Sequence, residues 1–190
     1  MKLQMLSDEE LVRHCLSGER AAQKQLYDRF CRKMMAISLR YASTSAEAED
    51  IVMEGFMSVF NNLKQFQFKS RLETWITRIM INAALNKQRR KMYLMPVVDV
   101  QDVVIGEEES VSLSGFHYNE LLKIIQSLPD GCRIIFNLFA IEGYSHNEIS
   151  EMLGVSVGTS KSQYNRARKL LMERLAKETT TYERLGERQI

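Results

Sequence analysis

Apolar residues in the first half of the chain recur every three or four positions, which is the period of an amphipathic α-helix. Four helices are predicted in this half: one that begins after Ser7, and three that cover about 21–41, 45–63 and 70–91. Ser7 with Glu10, and Thr44 with Glu47, match the capping box that opens a helix. The third and fourth helices are expected to turn apolar residues inward: Val52, Phe56, Val59, Phe60 and Leu63, then Leu72, Trp75, Ile76, Ile79 and Ala83.

The helical period returns near the C-terminal end and is interrupted at Gly154. Ile149, Met152 and Leu153 share one face of the preceding helix. Glycine can adopt the positive φ that ends a helix, and Ser156 can cap the next one. The inward face of that next helix is predicted to contain Ser160, Tyr164, Ala167 and Leu171. The pattern is typical of a helix-turn-helix.

Residues 95–117 break the pattern with a proline, two glycines and five acidic residues. A short strand at 97–105 would have no partner, so the segment is interpreted as a flexible acidic linker. The predicted fold is all-α, with two small helical domains at 7–93 and 118–177, the linker at 94–117 and a polar, frayed tail at 178–190.

Composition narrows the possible functions. No apolar run resembles a signal peptide or a membrane span, so a cytoplasmic location is expected. The three cysteines are far apart and lack CxxC spacing, which predicts reduced thiols and no zinc site. Neither phosphate-loop motif occurs and the histidines are scattered, so no catalysis, cofactor or small-molecule substrate is expected.

Charge is distributed unevenly. Residues 1–92 hold 16 Lys and Arg against 10 Asp and Glu, whereas residues 93–117 hold five acidic residues and no basic ones. This asymmetry hints at a polyanionic partner for the basic block, although a solvated helical surface gives a similar bias.

Three polar helix faces are candidates for function. Side chains opposite the apolar side of the third helix are acidic or amide, which suits a basic protein partner or plain solvent. Those of the fourth helix form a mainly basic stripe over about five turns, which can follow phosphates and reach a base edge. In the last helix, polar and basic residues project as they do in a recognition helix, although helical repeat proteins also use such glycine turns.

Three segments in this order resemble bacterial RNA polymerase sigma factors of the extracytoplasmic-function (ECF) group, over most of residues 8–176. AEDIVMEGF (48–56) resembles the family's core-polymerase-binding helix and WITRIMIN (75–82) its −10-binding helix. EISEMLGVSVGTSKSQYNRARKLL (148–171) resembles its −35-binding helix-turn-helix. The resemblance implies sigma region 2 and region 4 domains, and promoter-specific transcription initiation with core polymerase.

The resemblance also implies the site residues. Core polymerase would be bound by Glu47, Asp50, Glu54 and Asn61. The −10 element would be bound by Lys69, Arg71, Arg78, Asn82 and Arg89, with the loop 67–70 holding a flipped-out base. The −35 element would be bound by Thr159, Lys161, Ser162, Asn165, Arg166 and Arg168. Expected partners are core RNA polymerase, promoter DNA and an anti-sigma factor, and the acidic linker is expected to thread into the polymerase.

The chain departs from the family pattern at a few positions. Met53 stands where the family usually has Gln, Ser150 where it has Ala, and Ser160 where it has Val. Ser160 is expected to loosen the packing of the reading helix.

Three alternatives to the sigma-factor interpretation stay open: a two-domain activator with a C-terminal helix-turn-helix, an enzyme acting on nucleic acid, and a protein that binds only another protein through its third helix.

Overall fold

The computed structural model describes residues 6–92 and 118–186, with side chains over 6–87 and 118–176. These ranges contain helices, a 3₁₀ turn at Leu63–Gln65 and a π-helical turn at Asn137–Ile141, and no strand. The helices are α1 (Asp8–Leu16), α2 (Arg20–Tyr41), α3 (Ser45–Asn62), α4 (Leu72–Met92), α5 (Tyr118–Gln126), α6 (Asp130–Phe136), α7 (His146–Leu153) and α8 (Val157–Gly186). The predicted all-α fold class is confirmed.

The chain divides into two compact units, Met1–Lys87 and Gln88–Ile190. The predicted domain limits remain predictions, because the linker at 94–117 lies outside the described residues. The tail prediction needs a correction, since the backbone of α8 stays helical to Gly186. Neither proline nor glycine interrupts residues 159–185, so nothing in the sequence stops the helix earlier.

Capping side chains open the first and third helices. The Ser7 hydroxyl accepts from the Glu10 N–H at 3.2 Å, and the Glu10 carboxylate accepts from the Ser7 N–H at 2.9 Å, which confirms the predicted box. At α3 only half of the box forms. Thr44 accepts from the Glu47 N–H at 3.2 Å, but the Glu47 carboxylate accepts from the N–H of Ser43.

The buried side of α4 agrees with the prediction at Leu72, Ile76 and Ala83 and differs from it at Trp75 and Ile79. Leu72, Ile76, Met80 and Ala84 are buried, whereas Trp75 and Ile79 are only half-buried. Phe60 of α3, also predicted inward, is half-buried as well.

Gly55 of α3 lies against the Met80 side chain of α4. A Cβ on Gly55 would overlap the side chain of Met80, which is fully buried. The two helices therefore interlock at one point, with a long side chain lying over a residue that has none.

The second unit packs α5 and α6 against α8. Its core consists of Ile124, Ile125, Leu128, Cys132, Phe136, Ala167, Leu171 and Leu175. Burial raises the pKa of the Cys132 thiol, and burial raises that of Cys15 in the first unit to about 11. All three cysteines are free, as predicted.

Arg133 is buried among backbone carbonyls at the turn between α5 and α6. It is 1% exposed and donates to the carbonyls of Gln126 and Leu128 at 3.0 Å each. The guanidinium also pairs with Asp130. Its donors are therefore matched by acceptors, as a buried charge requires.

Within the two described ranges, no helix combines the length and apolar character needed to cross a membrane.

Candidate nucleic-acid and protein interfaces

The polar face of α3 is largely as predicted, with one exception. Asp50, Glu54 and Asn61 are exposed. Glu47 is buried, and the expectation that it projects outward is wrong. The carboxylate folds back and accepts from the N–H of Ser43, the residue before the N-cap of α3, at 2.9 Å.

Two methionines complete this face: Met53, noted above as a departure from the family pattern, and Met57, which the sequence did not single out. Met53 and Met57 are 65% and 64% exposed, an unusual condition for apolar side chains of this size. They are four positions apart and therefore neighbours on the helix, beside Asp50, Glu54 and Asn61. The face thus combines carboxylates with flexible thioethers, which adapt to irregular protein surfaces.

Asp50 also has a partner on α4. Its carboxylate accepts from the Lys87 ammonium at 2.6 Å, and 65% of the Asp50 side chain remains exposed. An exposed pair of this kind contributes about 0–1 kcal/mol to stability. Asp50 therefore stays available to a partner at small cost.

The basic stripe of α4 reaches solvent. Lys69, Arg71, Arg78 and Asn82 are exposed. Arg71, Arg78 and Asn82 lie seven and four positions apart, which keeps them on one side of the helix. Arg89 belongs to α4 but lies outside the residues whose side chains are described. The stripe presents positive charge and one amide in a row.

Phe68 lies in the loop 67–70 that the family resemblance implied as the base pocket, but the sequence did not single out this residue. It lies in the loop before α4, is 48% exposed, and has a φ of 55°. A bulky side chain rarely adopts this left-handed conformation, which costs about 1–3 kcal/mol and tends to occur at functional sites. Its ring packs on Phe66 at 4.6 Å, and Phe66 packs on Trp75 at 5.3 Å. The loop therefore exposes the Phe68 ring, which packs on Phe66.

The helix-turn-helix forms as predicted. Gly154 ends α7 with φ 68°, which a residue with a Cβ tolerates poorly, and the Ser156 hydroxyl caps α8 by accepting from the Thr159 N–H at 2.9 Å. Ser145 and Glu148 add a capping box at the start of α7, and hydrogen bonds from Ser145 hold the pKa of Glu148 below its ordinary value. Both helices thus have defined first turns.

The outward side of α8 carries the residues predicted to read DNA. Lys161 and Arg166 are exposed. Half-buried positions are taken by Thr159, Ser162, Asn165 and Arg168. The Ser162 hydroxyl donates to the Thr159 carbonyl at 3.0 Å, and the Arg168 guanidinium lies 6.0 Å from the centre of the Tyr164 ring. The face therefore mixes extended cations with short polar groups.

The inward side of α8 contains a polar contact instead of the expected loose packing. Ser160 is fully buried, and its hydroxyl lies 2.9 Å from Nδ1 of His146 at the start of α7. Ala167 and Leu171 are buried and Tyr164 is half-buried, as predicted. The small Ser160 is thus held by a hydrogen bond, a feature that helical periodicity does not report.

Two protein-family models match the chain. Sigma-70 region 2 matches residues 26–92, and Sigma-70, region 4 matches residues 118–171. Together the two matches cover more than half of the 190 residues.

Several curated proteins of similar sequence carry the description ECF RNA polymerase sigma-E factor. The protein of this name from Haemophilus influenzae is 27% identical over 190 residues, which cover 90% of this chain and 97% of that protein. The one from Salmonella typhi is 28% identical over 180 residues, which cover 88% and 94%. This chain spans nearly the whole length of both.

Two solved structures are similar. CnrH in complex with the cytosolic domain of CnrY is 22% identical, with a TM-score of 0.47 and coverage of 89% of this chain and 97% of that chain. The sigma factor RpoE in complex with the anti-sigma factor NepR from Bartonella quintana is 25% identical, with a TM-score of 0.48 and coverage of 80% and 96%.

Proposed function

The chain belongs to the sigma-70 family, in its extracytoplasmic-function group, and from this membership we propose a role for each surface described above. The face of α3 formed by Asp50, Met53, Glu54, Met57 and Asn61 binds core RNA polymerase. The stripe of α4 and the loop with Phe68 bind the −10 element, and the outward side of α8 binds the −35 element. Glu47 is left out of the polymerase-binding set because its carboxylate folds back onto the N–H of Ser43.

The observation that carries the proposal is that one chain holds both sigma regions, each with its polar face exposed. A helix-turn-helix alone would fit an activator equally well. Region 2 with an acidic face on α3 and a basic stripe on α4 has no role in a simple activator, whereas an initiation factor needs both a polymerase contact and a DNA contact. The proposal includes no catalytic step.

The mechanism proposed is bipartite recognition followed by base capture. Basic side chains on α4 and α8 hold phosphates, while Arg166 and Asn165 contact base edges in the major groove. An unstacked base of the −10 strand lies on the Phe68 ring, and stacking offsets the few kcal/mol that unstacking costs. The linker raises the effective concentration of the second contact once the first has formed.

Run-off transcription tests the proposed function. Core polymerase is incubated with genomic fragments, with and without the protein, and the 5′ ends of the transcripts are mapped. We expect discrete starts that need the protein and share two upstream elements. DNA binding by the protein alone, with no defined starts, would favour the activator instead.

Replacing Phe68 with alanine is expected to weaken binding of a single-stranded −10 oligonucleotide by the holoenzyme about tenfold, because one base–aromatic stack is lost. The affinity is measured by fluorescence anisotropy. Tyr118→Ala is the matched control, since Tyr118 is an aromatic residue of similar exposure in the other unit. Equal affinities for Phe68→Ala and the wild type would remove Phe68 from the proposed site.

Replacing Arg166 with alanine is expected to lower discrimination between an intact and a scrambled −35 element about tenfold, because a base-edge contact is lost. Transcription from the two promoters gives the ratio. Lys169→Ala, which removes an exposed cation further along α8, should weaken both promoters alike, as loss of a phosphate contact does. If Arg166→Ala also weakens both alike, Arg166 holds the backbone and does not read bases.

An anti-sigma factor is part of the proposal as an expected partner, because the family implies one. Its binding site is not assigned to particular residues. A cytoplasmic location follows from the proposed polymerase contact. The acidic linker and its path through the polymerase also remain predictions, because residues 94–117 lie outside the described ranges.

A further inference from the structure

We propose that His146 is a positioning residue for −35 recognition, acting through Ser160 on the helix that reads DNA. The inference rests on the proposed function, since it concerns how the reading helix is held. His146 itself does not contact DNA in this proposal. Its effect passes through one hydrogen bond to a residue that directly precedes two of the predicted DNA contacts, Lys161 and Ser162.

The hydrogen bond lies where the two helices of the helix-turn-helix meet. His146 is the first residue of α7, and its Nδ1 lies 2.9 Å from the Ser160 hydroxyl in the first turns of α8. Ser160 is fully buried, so water does not compete for the hydroxyl. A change in the position of His146 would therefore be transmitted directly to the start of α8.

The imidazole ring is itself fixed by aromatic neighbours. It stacks on Phe139 with ring centres 4.2 Å apart and planes 11° apart, and it meets Tyr164 edge-on at 5.8 Å. Phe139 belongs to the π-helical turn, and its ring also packs on Tyr164, with ring centres 4.5 Å apart. The ring is thus held between the π-helical turn and the second turn of α8.

The same cluster reaches a second part of the reading helix. Tyr164 lies one turn after Ser160, and the Arg168 guanidinium lies over its ring. Ser160 and Tyr164 therefore lie on either side of Lys161 and Ser162 in the sequence of α8. His146 contacts both Ser160 and Tyr164. One side chain can therefore set the rotation of α8 at the predicted DNA face.

A hydrogen bond positions a helix more strictly than apolar packing does. Apolar contacts are non-directional, whereas a hydrogen bond weakens steeply with distance and angle. A valine at position 160 would offer packing alone. This chain has a hydroxyl there, together with a histidine placed to bond it.

A double-mutant cycle tests the pair in the full chain with core polymerase. His146→Phe keeps an aromatic ring on Phe139 but lacks Nδ1, and Ser160→Ala lacks the hydroxyl. Ser160→Val is a second variant, which fills the site and guards against a packing defect. The readout is the ratio of transcripts from promoters with intact and scrambled −35 elements. Both promoters are transcribed by the same sample, so partial unfolding cancels from the ratio.

We expect each single substitution to lower the ratio about fivefold, because one hydrogen bond and its geometry are lost. The double variant should lose no more than either single one, as residues acting as a unit do. His14→Phe is the matched control, since His14 makes a similar 2.7 Å contact with Glu19 in the first unit. It should leave the ratio unchanged.

Histidine nitrogen NMR provides a readout that packing alone would not move. In the Ser160→Ala chain, the Nδ1 shift of His146 should change while that of His14 stays fixed. The inference would be overturned if the losses of the two single variants added in the double variant. It would also be overturned if the single variants left the transcript ratio unchanged at promoters where the wild type starts correctly. Absence of defined starts with the wild type would instead refute the proposed function.

Discussion

Replacing Arg133 with alanine is expected to lower the free energy of unfolding of the second unit by about 3–5 kcal/mol, the cost of breaking a buried ion pair by removing one partner. The substitution leaves Asp130 without its partner and the carbonyls of Gln126 and Leu128 without their donor. Domains are typically stable by only 5–15 kcal/mol, so much of the unit's stability would be lost.

Chemical denaturation followed by two probes checks this result. Trp75, the single tryptophan, lies in the first unit, so its fluorescence reports that unit, whereas far-UV circular dichroism reports both. We expect the dichroism transition to move and the fluorescence transition to stay. Arg174→Ala is the control, because Arg174 donates to the Ser127 hydroxyl from a half-buried position and should contribute about 0.5–1.5 kcal/mol. Equal effects of the two substitutions would contradict the role given to Arg133.

Replacing Asp50 and Glu54 together with alanine is expected to weaken binding of core polymerase about 30-fold, or ~2 kcal/mol, because two carboxylates of the docking face are lost. The dissociation constant is measured by titration without DNA, at low and moderate salt. The loss should shrink as salt rises, since screening already weakens exposed charges in the wild type.

Two controls separate docking from the internal ion pair of Asp50. Lys87→Met breaks that pair from the α4 side and leaves the α3 face intact, so it should bind core polymerase normally. Glu49→Ala removes an exposed carboxylate from another side of α3 and should also be neutral. If Lys87→Met reproduced the double variant, the effect would come from the fold of the unit and not from docking.

Much of the fold could be predicted because its determinants are local. The Ser7 box, the left-handed Gly154 and the Ser156 cap each depend on residues within four positions, so sequence spacing contains the necessary information. Ala167 was correctly placed in the core for the same reason, since the helical period fixes its side of α8.

Long-range and strained features could not be read in this way. The Asp50–Lys87 pair joins positions 37 residues apart, and a helical period describes each helix alone. Phe68 has no local signal, because a positive φ is expected of glycine or asparagine and not of phenylalanine. Glu47 was misplaced since the period gives a direction around the axis, whereas its carboxylate bends towards the preceding loop. The His146–Ser160 bond is also long-range, since it joins two helices across 14 positions.

The interlock between Gly55 and Met80 limits which parts of this protein can be exchanged. A designer who transplants α4 from a related factor to alter −10 preference would also transplant whatever residue occupies position 80. A short side chain there would leave a cavity beside Gly55, and a β-branched one would meet the α3 backbone at a different angle. Positions 55 and 80 are therefore best exchanged together, which makes α3 and α4 one exchangeable module.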